Sequence, residues 1–129
     1  MDGKEVIQAF SEALAKGDIP KAFSFFASDA KWHQPGENKY SGLKNNPDEI
    51  GAMLAAMMKD TGGTLVVSPN GALMDCGDMV ATPVRFTASK GVAKMDMTGI
   101  DIYEVKGGRI TGVWLFSQDQ KVEDNFWGR

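Results

Sequence analysis

A chain of 129 residues with 43% hydrophobic and 24% charged side chains holds material for one globular core and lies far from disordered or collagenous compositions. Its 14 Lys and Arg are set against 17 Asp and Glu, a formal net charge of -3 with both signs scattered along the chain, so there is no basic stripe for a nucleic-acid partner. No apolar run approaches bilayer-spanning length, and the charged start Met1-Asp2-Gly3-Lys4-Glu5 lacks the apolar stretch of a signal peptide, which makes a cytoplasmic protein without a membrane partner the expectation.

Val6, Phe10 and Ala13, with Ile7 and Leu14 beside them, recur at helical spacing, and Gly17 stands where a helix C-cap belongs. Asp18 can cap a second helix with Pro20 in its first turn and Phe23, Phe26 and Ala27 on its apolar side. Asp29 to Gly36 reads as a short strand closed by Pro35-Gly36, with Lys31 and His33 on one side and Trp32 and Gln34 on the other. Glu37 to Asn46 is polar loop. Asn46-Pro47-Asp48-Glu49 then combines a cap, an N1 proline and acidic residues in the first turn, and Ile50, Met53, Leu54, Met57 and Met58 form the apolar stripe of a third helix ended by Gly62-Gly63.

From Thr64 the period becomes strand-like. Leu65–Met74, Met79–Ala88, Val92–Val105 and Ile110–Ser117 are strand candidates separated by short turns at Asp75 to Asp78, Ser89 to Gly91 and Lys106 to Arg109, which makes them antiparallel neighbours. Pro69-Asn70-Gly71 can bend or split the first of these strands, and Pro83 inside the second calls for a bulge or an edge. The single Cys76 excludes an internal disulfide and has no helper that would activate it. The expected architecture is a single α+β domain over residues 1–129, with three N-terminal helices covering one face of a curved antiparallel sheet. If the sheet curls, helices and concave face enclose a cone-shaped pocket.

One carboxylate interrupts the apolar run Gly99-Ile100-Asp101-Ile102-Tyr103. An ionisable group in mid-strand must face water, a partner or a cavity. Asp101 is therefore either a solvent-facing residue paired with a cation or a pocket acid whose pKa is raised by desolvation, fit to exchange protons near neutrality. His33 is the only histidine and the only side chain whose ordinary pKa lies near physiological pH. It reads either as a packed histidine or as a group at the pocket mouth. One histidine with scattered carboxylates offers no metal-ligand spacing, and nothing calls for a cofactor. Asp96 has the opposite strand parity and should face outward, while Asp119 at the end of the last strand suits a cap or turn.

The order of elements, together with Ala15-Lys16-Gly17-Asp18, Ala30 to Gly36, Gly99 to Tyr103 followed by Gly108-Arg109-Ile110, and the ending Asp119-Gln120 through Asp124-Asn125-Phe126-Trp127, resembles the nuclear transport factor 2-like (NTF2-like) superfamily in its SnoaL-like and ketosteroid-isomerase-like branch. The resemblance spans nearly the whole chain. It implies a cone-shaped α+β barrel with an internal ligand pocket, commonly a homodimer through the outer face of the sheet. Carried over by position, the carboxylate base of steroid isomerases falls on Gln34, their tyrosine donor on Phe10 and their oxyanion acid on Asp101. Gln34 takes no proton and Phe10 donates no hydrogen bond, which argues against steroid isomerisation by that mechanism.

SnoaL-like cyclases imply instead an acid/base role for Asp101, and scytalone-dehydratase-like members, which pair histidine with aspartate, make His33 its candidate partner. Trp32, Tyr40, Met53, Met57, Met95, Met97, Tyr103 and Trp114 form a possible substrate-binding set suited to a small hydrophobic molecule. Met95, Met97, Asp101 and Tyr103 share strand parity. The function expected is a small-molecule enzyme, an isomerase, cyclase or dehydratase working by general acid-base chemistry on a hydrophobic carbonyl or cyclic substrate. The alternative is a non-catalytic ligand-binding or dimerisation module of the same fold.

Overall fold

The structure, a computed structural model, describes residues 1–129. Helix α1 (Gly3–Ala15) starts at a capping box in which the Glu5 N–H donates to Asp2 Oδ1 at 2.8 Å and the Asp2 N–H to Glu5 Oε1 at 3.0 Å. Its buried face is Val6, Ile7, Phe10 and Ala13. Gly17, at φ 74°, turns the chain out of the helix. Helix α2 (Ile19–Phe23), capped by Asp18, is a single turn and stops earlier than its apolar spacing suggests. Phe26 belongs instead to strand β1 (Phe26–Gln34), where it pairs with Ile110 and packs edge-on against Phe10 and Phe23 at 5.4 and 5.1 Å. Burying that aromatic cluster outweighs another turn of helix.

The loop after β1 contains a short strand, β2 (Gly42–Lys44), antiparallel to β1. Helix α3 (Pro47–Asp60), capped by Asn46, lays Ile50, Met53 and Met57 on the core. Pro69-Asn70-Gly71 splits the next segment into β3 (Val66–Pro69) and β4 (Met74–Cys76), both antiparallel to β5 (Met79–Lys90). Pro83 causes no bulge, because β5 pairs with β6 (Ala93–Lys106) in one unbroken register. Its carbonyl accepts from the Asn70 N–H on the other side, in the gap between β3 and β4. A proline's missing donor costs no ladder bond there.

Strand β6 turns through Gly107 and Gly108, both at positive φ, into β7 (Arg109–Ser117), the backbone that a two-residue hairpin requires. The sheet runs β2-β1-β7-β6-β5-β3, with β4 beside β5. It is antiparallel except for one pair, since β1 and β7 run parallel. That pair joins the chain's early strand to its last, a contact that no short connection announces. Helix α4 (Gln120–Trp127), capped by Asp119, closes the remaining end and buries Glu123, Phe126 and Trp127.

Asp60 ties these pieces together. It accepts from Tyr40 Oη at 3.0 Å and pairs with Lys39 at 2.7 Å and Lys90 at 3.8 Å. Lys90 Nζ also donates to the carbonyls of Phe126 and Trp127 at the end of α4. No helix is long and apolar enough to cross a membrane.

Candidate functional site

Inward-facing residues of β5, β6 and β7 form the floor of a cavity under α1, α3 and α4. Alternation along β6 points Met95, Met97, Asp101, Tyr103 and Val105 inward, and Asp96 outward into a bidentate pair with Arg85 at 2.6 and 2.8 Å. The cavity has two adjoining chambers. The larger, about 420 Å³, is bounded by Gln8, Ser11 and Glu12 of α1 and by Ser68, Leu73 and Thr82. The smaller, about 150 Å³, is mostly apolar and lies among Trp32, Leu54, Met57, Phe86, Met95, Leu115 and Trp127. Phe10, Val84, Asp101 and Tyr103 belong to both walls.

Asp101 is thus at the junction. The side chain keeps some accessible surface because it faces the cavity, while protein atoms enclose it on its other sides. Burial first, and the negative charge of Glu123 second, push its pKa up to about 7. No cation offsets either effect. Tyr103, 5% exposed, has its phenol held well above the ordinary value by burial and then by Asp101. Thr82 stands directly across the ladder from Asp101, also 5% exposed, and its hydroxyl has no hydrogen-bond partner.

Glu123 is the second buried carboxylate. Its Oε1 accepts from Ser117 Oγ at 2.5 Å and Gln120 Nε2 at 3.1 Å, and its Oε2 from Trp127 Nε1 at 3.2 Å. Gln34 lines the smaller chamber and accepts from Trp32 Nε1 at 2.9 Å. At the position carried over from the steroid isomerases' base it orients an indole. Phe10 lies edge-on to Tyr103 at 5.9 Å.

The sequence-derived candidates divide. Asp101, Trp32, Met57, Met95 and Tyr103 line the cavity. His33 lies elsewhere: it neighbours Trp32 and Gln34 on a strand, so it projects from the opposite face, where it stacks on Trp114 at 4.9 Å and 9°. His33 and Asp101 therefore do not meet in one pocket, and Trp114 shares the outer face. Tyr40 is held by Asp60 and packs edge-on to Trp127 at 5.1 Å, outside both chambers. Burial, the hydrogen bond to Asp60 and its charge push the Tyr40 pKa up to about 12. Met53 and Met97 are core residues that reach neither chamber. Cys76 is exposed, and no three His, Cys, Asp or Glu side chains stand together as a metal site would need.

Two residues escape the sequence reading. Thr82 was accessible to it, since counting back from the Gly91 turn pairs Thr82 with Asp101. Glu123 left a weaker trace, its spacing of four from Trp127 within a segment that begins at a capping aspartate.

Comparison with known proteins decides the family, because residues 7–113 match the SnoaL-like domain. The chain belongs to the SnoaL-like family. This SnoaL-like chain is 33% identical to a Xanthomonas campestris protein of unknown function with a cystatin-like fold, at a TM-score of 0.94 with 100% of both chains covered. It is 26% identical over 123 residues to an uncharacterized Mycobacterium tuberculosis protein, Rv0034, covering 95% of this chain and 94% of that one. It also resembles IdmH of Streptomyces antibioticus, a candidate polyketide cyclase, at a TM-score of 0.74 and 18% identity over 92% of this chain and 93% of that one. The last likeness concerns the fold, which is NTF2-like.

Proposed function

We propose that this SnoaL-like protein is a small-molecule enzyme using general acid-base chemistry on a hydrophobic carbonyl-bearing or cyclic substrate, with Asp101 as the group that carries the proton. The observation behind the reading is a carboxyl with a pKa of about 7 facing an apolar cavity. Such a group gives and takes protons with comparable ease at neutral pH. A substrate carbonyl beside it can accept a hydrogen bond or a proton as an enolate or enol develops. Isomerisation, cyclisation and dehydration share that step, and the same fold in a candidate polyketide cyclase is in keeping with it. Tyr103 adds a neutral donor beside the acid, and burial first, with the negative charge of Glu123 second, favours the protonated form of Asp101.

Native mass spectrometry of freshly purified protein would identify a co-purified molecule. Its turnover by wild type and by Asp101→Asn then tests the assignment, with a loss of at least about a hundredfold expected for removing a general acid-base. Equal turnover by the two would overturn it and leave a binding module.

The reading includes a homodimer formed through the outer face of the sheet. There Phe116, 60% exposed, pairs in register with Ile100, 44% exposed, next to the row Leu43, His33, Trp114 and Ile102. A contiguous apolar surface of this kind suits an interface with a second copy.

A further inference from the structure

Glu123 and Asp124 are adjacent acids on α4, and one amide serves both. Gln120, three and four residues earlier on the same helical face, donates from Nε2 to Glu123 Oε1 at 3.1 Å and to Asp124 Oδ1 at 3.0 Å. Glu123 lines the smaller chamber with Asp101, whereas Gln120 and Asp124 line neither chamber. The amide therefore joins a carboxylate at the cavity wall to one outside it. Ser117 and Trp127 also donate to Glu123, but of the three donors Gln120 alone reaches Asp124.

The outer end of this chain of bonds is fixed to the loop between β1 and β2. Asp124 Oδ1 also accepts from Asn38 Nδ2 at 2.8 Å, and its Oδ2 from the Glu37 N–H at 3.1 Å. Burial alone would raise the Asp124 pKa, but the bonds from Gln120, Asn38 and Glu37 hold it below the ordinary value. The loop is braced from within. Asn38 Oδ1 accepts from the Tyr40 N–H at 2.9 Å, while Ser41 Oγ accepts from the Asn38 N–H at 2.9 Å and donates to the Pro35 carbonyl at 2.8 Å. Gly36 lets the loop lie this close, since a Cβ there would overlap Asp124 Oδ1 and Gln120 Nε2.

The ionisable groups that share the chamber walls with Asp101 are Tyr103 on its own strand, Glu12 of α1 and Glu123 of α4, and none is a cation. Glu123 is the one whose charge raises the Asp101 pKa, so its placement matters to the acid.

We propose that Gln120 is a positioning residue for Asp101: braced by Asp124 and residues 36–38, it holds the Glu123 carboxylate at the chamber wall and so couples a surface loop to the acid. The inference rests on Asp101 being the proton-handling group of the proposed function, and it adds residues that touch neither chamber.

A double-mutant cycle on the Asp101 titration midpoint, read by carbon-detected NMR, separates positioning from support of the fold. Gln120→Met keeps the side-chain length and the net charge but removes the shared donor, which frees the Glu123 carboxylate to relax toward water. It should lower the midpoint by at least about 0.3 pH unit, the size expected of a like charge that retreats by about 1 Å in a protein interior. In the Glu123→Gln background, where no charge is left to position, the same substitution should leave the midpoint unchanged. Asn38→Ala, which withdraws the loop's donor, and Gly36→Ala, which presses on the clamp, alter no charge and should show the same dependence on Glu123.

An unchanged midpoint after Gln120→Met would overturn the proposal. An equal fall in both backgrounds would do so too, reducing Gln120 to support of α4. Loop variants that fold and leave the midpoint in place would refute the coupling to the loop. The two readings fail separately: coupling as stated, with turnover that survives Asp101→Asn, would remove the catalytic reading and leave this one, and an uncoupled cycle with an inactive Asp101→Asn would do the reverse.

Discussion

Replacing Asp101 by Asn should make the protein more stable at alkaline pH and leave it little changed at acid pH. In the folded chain the carboxyl keeps its proton up to about 7, against an ordinary value of 3.8. Between those values the native state binds more protons than the unfolded chain, so stability falls as pH rises through that window and levels off above it. A rise from 3.8 to about 7 corresponds to roughly 4 kcal/mol of native-state cost once the group is ionised. Asn carries a similar volume and no charge, so Asp101→Asn should gain at least ~2 kcal/mol over wild type at pH 8 and almost nothing at pH 4. Urea denaturation of both proteins at pH 4, 6 and 8 measures the difference. If the Asn variant were less stable at pH 8, or if the difference did not vary with pH, the carboxyl would not be a desolvated group and the acid-base reading would lose its foundation.

Further perturbations address the rest of the site and its support. Glu123→Gln removes the negative neighbour and should lower the Asp101 titration midpoint seen by carbon-detected NMR, whereas His33→Ala, on the other face of the sheet, should leave that midpoint in place. Asp60 is held below the usual carboxylate range by Lys39 first, against a smaller effect of burial, with Tyr40 and Lys90 assisting. Its contribution is therefore present at neutral pH and lost on acidification, and Asp60→Asn should cost roughly 1 kcal/mol at pH 7, with no difference once Asp60 is protonated. A Cβ at Gly99 would fall 2.4 Å from the Phe116 carbonyl oxygen, so Gly99→Ala should destabilise by ~1–3 kcal/mol in a thermal melt. Phe116→Glu should convert a dimer to a monomer in sedimentation without loss of native circular dichroism, and a monomeric wild type would remove the dimer proposal.

Local chemistry was written plainly in the chain. Asn46-Pro47-Asp48-Glu49 starts α3 as its capping residues require, and the Gly107-Gly108 turn sets the first β6–β7 pairs, before a bulge between Ile110 and Gly112 shifts the register of the rest. Strand parity alone groups Met95, Met97, Asp101 and Tyr103 on one face and turns Asp96 outward, since alternation is a property of an extended backbone. Parity also puts His33 opposite Trp32 and Gln34, but not which face of β1 meets the cavity. Helix α4 went unread because eight mostly polar residues make no stable helix by themselves. It exists through burial of Phe126 and Trp127 and through Lys90, whose Nζ donates to its last carbonyls.

Caps, turns and alternation act between residues close in the chain, so α1, α3, the β5–β6–β7 hairpins and the grouping of Asp101 with Met95, Met97 and Tyr103 on one face of β6 are legible in the sequence. The tertiary structure decided what Asp101 meets there. The parallel pairing of β1 with β7 and the docking of α4 are long-range contacts. They turn His33 away, bring Glu123 in, and leave Thr82, Asp101 and Tyr103 facing a cavity with no basic side chain. Desolvation and charge at that junction are properties of the assembled walls, and they give the Asp101 carboxyl its pKa of about 7.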